Sequence, residues 1–431
     1  MKLTIWLNRL ITGKAIIAAL LIPVITDAQN APLRLEQAYE MSTKNYPMIK
    51  QKELVKRTSE LNIKNLSTGY LPQLSFSGQA TYQSDVTKVD VPIPGFKIDP
   101  PEKDQYKIVA EANQLLFDGG VIKTQKEMQE LNARVEDQKV EVELYKVKER
   151  INQIYLGVLY LDQQLKQVEL IKQDVNTGIK RVEAQVNNGI AFRSNLNLLK
   201  AELLKAEQRE IELRSSRKGF IETLGLFMNQ SLDENIVLEK PSVNAFTTDK
   251  NISRPELKLY SDQSALLGHQ DKMIRARNLP KTSLFVQGGY GRPALNLLKN
   301  EFDFFYVGGI RLNWSLGGLY TSKKDKQVVE INKRMVDIQK ETFLLNTNTQ
   351  LTQQRSEIDK LQKLIGSDDQ IIELRVQVKD AAKAQLENGV ITANDYLREI
   401  NAEDQARQTL IAHQIQLLQA QINYQTISGK Q

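Results

Sequence analysis

The sequence predicts a mainly α-helical chain that contributes a small β-sheet to a membrane barrel and that arose by internal tandem duplication. Three observations support this prediction. Residues 121–186 contain no proline and repeat apolar residues in heptads. Four stretches of about 10–14 residues alternate apolar and polar side chains, which is typical of outer-membrane strands. Four landmarks recur in the same order in both halves.

The composition excludes several classes of function. The chain is 41% hydrophobic and 26% charged, with two histidines and no cysteine. A zinc or copper site of the usual His/Cys kind and a disulfide framework therefore cannot be built. No Walker loop, G-x-S-x-G or dinucleotide fingerprint occurs. Because no catalytic constellation or metal-ligand cluster appears, we expect no cofactor, no metal and no enzymatic activity. Charges of both signs alternate along helical faces, so we also expect no nucleic-acid partner.

The first element is a predicted secretory signal peptide at 1–28. Lys2, Arg9 and Lys14 precede an apolar run of 11 residues, and Thr26-Asp27-Ala28 offers a cleavage site. A retained membrane anchor is the alternative, but the run is short against the roughly 20 residues that span a bilayer. Removal of the peptide takes away three positive charges and one negative charge, so the net charge of +6 becomes 6 − 2 = +4.

The two halves of the remaining chain share four landmarks. The offsets between equivalent residues are 208, 208, 198 and 200, so one loop shortened by about ten residues explains nearly all of the change. We predict a first repeat at 29–240, a linker at 241–251 and a second repeat at 252–431. The landmarks are YPMIK (46–50) and RPELK (254–258), YLPQLSFSGQATY (70–82) and NLPKTSLFVQGGY (278–290), FDGGVIKTQKE (117–127) and SLGGLYTSKKD (315–325), and the Asn-Gly pairs in VNNGI (186–190) and LENGV (386–390).

Each repeat is predicted to contribute two strands. A half-buried hairpin of a soluble sandwich is the ordinary interpretation of strict alternation. Aromatic residues near the ends of the apolar face instead favour an outer-membrane barrel. The strands are expected at about 72–84, 105–117, 280–291 and 302–315, with an aromatic girdle of Tyr82, Tyr106, Tyr290, Phe302 and Trp314. The transitions between barrel and helices are expected at Pro72, Gly119, Gly120, Pro280, Gly317 and Gly318.

Four strands cannot close a barrel. Open sheet edges would leave unpaired N–H and C=O groups in hydrocarbon, so a membrane sheet has to close on itself. The smallest membrane barrels use about eight strands. At least two copies of the chain must therefore share one barrel, and a ring of three copies would contribute 4 × 3 = 12 strands.

The helices form the larger part of each repeat. Apolar residues from Val140 to Val168 recur in steps of four and three, the seam of a coiled coil. A helix from 121 to 186 is roughly 100 Å long, and the shorter helices stacked end to end would form its antiparallel partner. The expected helices are about 34–69, 120–187 and 193–228 in the first repeat and about 255–277, 320–386 and 393–427 in the second.

An Asn-Gly pair breaks each long helix, at a first tip (187–192) and a second tip (387–392). Gly189 and Gly389 suit a left-handed C-cap, and the preceding Asn188 and Asn388 also tolerate that conformation. Thr392 begins a capping-box pattern. Asp395, three residues later, therefore has an interpretation as a cap residue.

These motifs resemble the TolC-type outer-membrane efflux proteins, the outer membrane factors of tripartite efflux and type I secretion systems. The start LRLEQAYEMSTKNYPMIK, the YLPQLSFSG entry to the first strand, the LFDGG exit from the second, both tips and the duplicated plan carry the resemblance over essentially the whole mature chain. It implies a homotrimer whose 12-stranded transmembrane β-barrel continues into a long antiparallel α-helical coiled-coil tunnel. The barrel would lie among the outer-membrane lipids of a Gram-negative bacterium, and the tunnel in the periplasm.

The resemblance implies a passive exit duct that docks a periplasmic adaptor protein and an inner-membrane RND or ABC transporter. It also implies a periplasmic gate in which an acidic ring lines the closed tip. Asp395 falls at the position of the first ring aspartate, but the second is Arg398. The lock arginine and tyrosine are replaced by Ile391 and Leu386, and the acidic position of the first repeat is Asn195. We therefore expect a tip closed by packing and hydrogen bonds, with Asp395 and Arg398 as candidates for a pair within or between subunits.

Two alternatives remain open from the sequence. An outer membrane factor for metal-cation efflux belongs to the same family, although no Met/His/Cys cluster supports it. A non-transporting periplasmic coiled-coil protein, structural or adaptor-like, explains the heptads and the signal peptide but not four amphipathic strands. The exported substrate is not predicted, because such conduits leave selectivity to their partners.

Overall fold

The computed structural model describes residues 32–88, 100–242, 251–297 and 299–430. The predicted signal peptide at 1–28 lies outside these residues, as does most of the predicted linker. The described chain is mainly helical with one four-stranded antiparallel sheet, so this part of the predicted fold class is confirmed. None of the helices in these ranges has a stretch that is long and apolar enough to span a bilayer.

Helices and strands follow one another in two similar series, of which the first begins with two helices and the second with one. The first series contains α1 (Leu35–Asn45), α2 (Lys50–Ser67), β1 (Gln73–Tyr82), β2 (Asp104–Phe117), α3 (Val121–Asn187) and α4 (Arg193–Met228). The second contains α5 (Pro255–Arg277), β3 (Lys281–Arg292), β4 (Asp303–Asn313), α6 (Gly317–Glu387) and α7 (Ala393–Ser428). α3 has 67 residues and α6 has 71, so each is a rod of roughly 100 Å.

The single helix expected at about 34–69 is wrong, because the chain breaks it at Pro47. A short 3-10 turn from Pro47 to Ile49 separates α1 from α2. Tyr46, the residue before the proline, has an extended backbone (φ −63°, ψ 127°). The proline ring disfavours the α conformation of the preceding residue and removes one N–H donor, so two shorter helices form.

The sheet has the strand order β1-β2-β3-β4, and each neighbouring pair is antiparallel. β2 and β3, which come from different halves of the chain, lie side by side at its centre. β1 and β4 are its edges. Since neighbouring strands alternate in direction, β1 and β4 run in opposite directions. The β4 edge of one sheet is therefore suited to antiparallel pairing with the β1 edge of another.

The predicted heptad seam of α3 forms the main core. Its members from Val140 to Val168 are at most 9% exposed, apart from the half-buried Leu165. Near the middle of the molecule the seam packs against α1, α4 and α7. There Tyr155 donates to the carbonyl oxygens of Leu33 and Glu239, which ties the start of the described chain to the end of the first series. A second core lies close to the tips.

The two long helices differ in their surroundings. α3 packs against α2 and α4 of its own half and against α5 and α7 of the other half. α6 packs mainly against α5 and α7, the helices of its own half. Its outer face has an exposed apolar stripe with heptad spacing. The stripe consists of Val328, Ile331, Met335, Ile338 and Leu345.

Candidate functional site

The two tips have the same backbone geometry. Gly189 and Gly389 both have φ +71°, a left-handed conformation that side chains with a Cβ adopt at a cost. Asn188 and Asn388, expected to tolerate that conformation, instead have φ near −90° and ψ near 0°. After each glycine the next N–H reaches back to the helix, to Gln185 at 2.8 Å and to Gln385 at 2.9 Å. This six-to-one hydrogen bond is that of a Schellman C-cap.

The helices that follow the tips begin differently. α4 begins after Phe192, which offers no side-chain cap. α7 begins after Thr392, whose hydroxyl accepts from the Asp395 N–H at 3.3 Å and donates to the Asp395 carboxylate at 2.7 Å. The Thr392 N–H also donates to that carboxylate at 3.1 Å. The second tip therefore has a complete capping box, whereas the first tip has an exposed aromatic side chain.

The Asp395 carboxylate is engaged in this cap, and the residue is half-buried. The hydrogen bonds from Thr392, together with the charge of Arg398, lower the pKa of Asp395. Arg398 donates from Nε to Glu399 at 3.1 Å. Within one chain Arg398 therefore pairs with Glu399 and not with Asp395.

The other predicted gate residues are mostly apolar packing or turn positions. Leu386 is 3% exposed, and its carbonyl oxygen accepts from the Gln185 side chain at 2.8 Å, which joins the two tips. Ile391 packs against the same core. Asn195 is half-buried, and its N–H donates to the Phe192 carbonyl oxygen at 3.0 Å. The expected cap and gate positions around the turns thus lie together at one end of the helices.

Sequence reasoning missed a buried ionic cluster above the tips. Lys379 of α6 donates to Asp174 of α3 at 2.8 Å and lies 2.6 Å from Glu403 of α7. Glu403 also accepts from Arg407 at 2.6 Å. A cavity of about 140 Å³ lies among these groups. Since each charged residue also fits a solvated helical face, only their proximity in the fold identifies the cluster.

Asp404, next to Glu403 on α7, contacts α3 and α4. It accepts from Gln167 of α3 at 3.1 Å and from Arg209 of α4 at 3.4 Å. Burial raises the pKa of Asp404. Burial would also raise the pKa of Glu403, but the hydrogen bonds from Lys379 and Arg407 outweigh it and lower that pKa. Two adjacent carboxylates therefore tie α7 to all three other tip helices.

At the other end of the rods, the sheet has an apolar face and a polar face. Phe76, Tyr306 and Ile310 are 82%, 82% and 70% exposed on the apolar face. On the opposite face Glu111 accepts from Arg311 at 2.8 Å. Strand alternation explains this separation, because successive side chains point to opposite sides. The apolar face is therefore a broad surface that water solvates poorly.

The predicted girdle residues lie at two ends of this face. Tyr106 and Tyr290 approach Phe302 with ring centroids 6.2 and 5.6 Å apart, at the end away from the helices. Tyr82 is 78% exposed at the same end. Trp314 follows β4 at the helical end and donates from its indole to the Asn278 carbonyl oxygen at 3.0 Å.

The predicted transitions have unlike geometry in the two halves. Pro72 and Pro280 directly precede β1 and β3. Gly119 and Gly120 have φ +75° and +83°, and a Cβ on Gly119 would lie 2.5 Å from the Ala276 carbonyl oxygen. Gly317 and Gly318, by contrast, form the first turn of α6.

Known proteins share both the sequence pattern and the fold. Residues 38–228 match the family model described as outer membrane efflux protein. This match confirms the family resemblance seen in the sequence and covers most of the first half of the chain. A search of curated protein sequences finds no relative.

Solved structures match the fold over nearly its whole length. The outer membrane protein VceC from Vibrio cholerae has a TM-score of 0.65 and 15% identity, over 92% of this chain and 97% of that chain. The CmeC outer membrane channel of Campylobacter jejuni has a TM-score of 0.64 and 11% identity, over 92% and 85%. The MtrE outer membrane channel of Neisseria gonorrhoeae, in its open state, has a TM-score of 0.63 and 14% identity, over 92% and 89%.

Proposed function

Because the first half of the chain matches the outer membrane efflux proteins and the fold is that of their channels, we propose that three copies form an outer-membrane exit duct. The duct would conduct substrates passively from a periplasmic adaptor and an inner-membrane RND or ABC pump to the exterior. The observation that supports it most strongly is the sheet, with one exposed apolar face and two edges available for pairing.

Closure of the sheet follows from the cost of open edges. In hydrocarbon, each unpaired backbone group costs several kcal/mol, so the β1 and β4 edges require partners. Three copies give 3 × 4 = 12 strands, all antiparallel if each β4 pairs with the β1 of the next copy. The apolar face would then contact lipid, and the Glu111–Arg311 pair would line the interior.

The helices support the same ring. α3 has α2 and α4 on one side and α5 and α7 on the other, whereas α6 has only α5 and α7 as its main neighbours. If the repeats are equivalent, the missing neighbours of α6 are α2 and α4 of the next copy. Both have exposed apolar side chains to offer. They are Leu54 and Leu61 on α2 and Leu204 and Ile211 on α4.

The register of this contact follows from the one within the chain. In the α3/α5 contact, His269 lies 3.4 Å from Glu127, and Lys258 lies 2.9 Å from Gln138. By the repeat offsets, position 269 of the second repeat corresponds to position 269 − 208 = 61 of the first. Position 127 of the first repeat corresponds to position 127 + 198 = 325 of the second. Leu61 of one copy should therefore lie beside Asp325 of the next, one turn from Val328 in the exposed stripe.

Fractionation and detergent electrophoresis test the duct directly. The full chain should partition with outer membranes and migrate as a trimer that heating converts to a monomer. A non-transporting coiled-coil protein would remain in the soluble periplasmic fraction. Recovery there, or migration as a monomer before heating, would exclude the proposal.

Export provides the second test. Gly389→Val places a β-branched residue at φ +71°, which disrupts the second tip but leaves the barrel untouched. In cells that depend on this chain for resistance to an exported compound, G389V should lose resistance while it retains the heat-sensitive trimer. Unchanged resistance would show that the tip is not needed for coupling to the periplasmic partner.

A further inference from the structure

Cations and aromatic rings alternate along a series of contacts near the middle of the molecule. The Lys148 ammonium of α3 lies 5.4 Å from the centre of the Tyr39 ring and 5.2 Å from that of the Tyr145 ring. The Arg254 guanidinium follows, 4.6 Å from the same Tyr145 ring and 5.8 Å from that of Phe343. The series therefore joins α1 and α3 of the first half of the chain to α6 of the second.

The two cations of this series differ in how their charge is balanced. Arg254 donates from Nε to the Glu256 carboxylate at 3.0 Å. No carboxylate among the described residues lies within 4.0 Å of the Lys148 ammonium. Burial lowers the pKa of Lys148, as expected for an ammonium that leaves water without an anionic partner. Lys148 is therefore a half-buried cation whose charge the described chain does not neutralise.

Lys148 and Thr43 line two neighbouring cavities. The larger has a volume of about 730 Å³ and the smaller of about 420 Å³. The apolar lining of the larger cavity includes Leu35, Tyr39 and Ile422, which are 4%, 7% and 2% exposed. Cavities of this size that combine an apolar lining with a few polar groups are typical sites for small organic molecules.

The charged residues of the larger cavity favour an anionic molecule. Three lysines and two glutamates line it, so its net charge is 3 − 2 = +1. They are Lys44, Lys148, Lys430, Glu36 and Glu40. Both glutamates and Lys44 are exposed, whereas Lys148 is half-buried. An anionic group beside Lys148 would gain a charge-assisted hydrogen bond in surroundings of low dielectric constant, where such a bond is strongest.

We propose that the larger cavity binds a small amphipathic carboxylate, in which one anionic group is attached to an aromatic or aliphatic body. The carboxylate would pair with the Lys148 ammonium, and the apolar body would lie against Leu35, Tyr39 and Ile422. Leu35 and Lys148 belong to the first half of the chain and Ile422 to α7 of the second. The bound molecule would therefore hold the two halves together, at a site separate from the sheet and from both tips.

Binding of 2-naphthoate to the purified full chain tests this site, with saturation-transfer difference NMR as the measurement. We expect saturable binding with a Kd of the order of 1 mM or below. The uncharged 2-naphthamide should bind at least about tenfold more weakly, because it has no charge to pair with Lys148. Equal affinities of the acid and the amide, or no saturable binding of 2-naphthoate, would overturn the proposal.

Two lysine variants assign the binding to the cavity. Lys148→Met keeps the length of the side chain and removes its charge, so it should weaken 2-naphthoate binding at least about tenfold. Lys146→Met is the matched control, because Lys146 is exposed two residues earlier on α3 and pairs with Glu143 at 2.5 Å. It should change the Kd by less than about twofold. Circular dichroism first establishes that both variants fold, and equal binding by K148M and wild type would contradict the site.

Protection from chemical labelling locates the site without any substitution, so it decides the question even if K148M fails to fold. Formaldehyde with a mild hydride reagent dimethylates lysine amines, and mass spectrometry measures the extent at each lysine. Saturating 2-naphthoate should slow dimethylation of Lys148 at least about fivefold and leave that of Lys146 unchanged. Equal rates at Lys148 with and without 2-naphthoate would overturn the proposal.

A carboxylate from a neighbouring copy of the chain is the competing partner of Lys148. In that case wild type would bind no 2-naphthoate, and K148M would lower the temperature at which the proposed trimer dissociates. This pair of results would overturn the ligand site and leave the duct intact. If wild type forms no trimer but binds 2-naphthoate through Lys148, the duct is wrong and the site stands, because its described residues all belong to one chain.

Discussion

The two long helices, α3 and α6, are nearly equal in length but differ in burial. α3 buries 22 of its 67 residues, whereas α6 buries nine of its 71. Both helices have apolar residues in heptads, so their difference in burial does not come from the sequence pattern. It arises because α3 packs against helices of both halves of the chain, whereas α6 packs mainly against helices of its own half.

This difference indicates where the molecule is incomplete. A single chain buries the apolar seam of α3 but leaves the apolar stripe of α6 from Val328 to Leu345 exposed. Exposed apolar patches of this extent mark interaction surfaces. The sheet has the same asymmetry, since β2 and β3 are paired on both sides and β1 and β4 on one. β1 follows α2 and β4 precedes α6 along the chain, so one neighbouring copy can satisfy both the sheet edge and the stripe.

The largest predicted effect contrasts one isoleucine from each helix. Ile151 of α3 is 0% exposed and Ile338 of α6 is 59% exposed. Ile151→Ala should lower the free energy of unfolding by about 2–5 kcal/mol, because it leaves a cavity in the core. Ile338→Ala should instead lower the temperature at which the proposed trimer dissociates.

Helical circular dichroism during urea unfolding and heating in detergent electrophoresis measure the two effects. Lys340→Ala on α6 is the control for a solvent-exposed change. If I338A behaved as K340A does in both measurements, the exposed stripe would not be an interface.

The second contrast compares how the two helices begin. Gly119→Ala should cost at least about 2 kcal/mol, because an L-residue at φ +75° is strained and its Cβ would meet Ala276 and Leu279. Gly317→Ala should be neutral or stabilise by up to about 1 kcal/mol, since the site is helical and no atom lies within 4 Å of the added Cβ. Urea midpoints of the two variants measure the difference, and equal midpoints would contradict it.

The third contrast concerns the cluster through which α6 does reach α3. The pKa of Glu403 is lowered, so its stabilising contribution is present above its ordinary value of 4.5 and is lost as pH falls through the lowered value. The pKa of Asp404 is raised, so its contribution is present below its ordinary 3.8 and is lost as pH rises through the raised value.

Between about pH 7 and pH 3, Glu403→Gln should therefore lose less free energy of unfolding than wild type. Asp404→Asn should lose more, because it lacks the gain that protonation of Asp404 supplies. Urea unfolding at successive pH values measures both slopes. If both variants lost less free energy of unfolding than wild type over this pH range, or both lost more, the assignment of these carboxylates would be contradicted.

The smallest predicted effect separates the tips. Thr392→Ala removes a cap and should destabilise the first turn of α7 by about 1 kcal/mol. Phe192→Ser should add a cap to α4 and stabilise its first turn by a few tenths of a kcal/mol or more. Hydrogen exchange of the first-turn amides reports each change. Unaltered exchange in T392A would show that the capping box has no energetic role.

Much of the architecture could be predicted from local patterns. The heptads from Val140 to Val168 and the alternation in β1 and β4 are periodic signals that tertiary structure preserves. Both tips are predictable because an Asn-Gly pair is unfavourable inside a long helix and typical of a helix end. The break at Pro47 is harder to predict, because the helical pattern resumes directly after the proline and resembles one continuous helix.

The rest required the fold. The Gly119-Gly120 and Gly317-Gly318 pairs are identical in sequence, yet one is left-handed and the other helical. Asp118 accounts for part of this, since its carboxylate accepts from Gly120 at 2.8 Å and from Ile122 at 2.6 Å, and Leu316 offers no such acceptor at the equivalent position. The ionic cluster around Lys379 joins residues that are far apart in the chain. No short sequence motif predicts such a cluster.

The central claim is that α6 lies against α2 of another copy, and a pair of cysteines tests it most directly because the chain has no native cysteine. Leu61→Cys with Asp325→Cys, treated with a short bifunctional thiol reagent, should yield covalent dimers and trimers on denaturing gels. His269→Cys with Glu127→Cys, the equivalent pair within one chain, should crosslink inside the monomer and yield no covalent dimer or trimer. If L61C/D325C remained monomeric while H269C/E127C reacted, the ring assigned to this chain would be wrong.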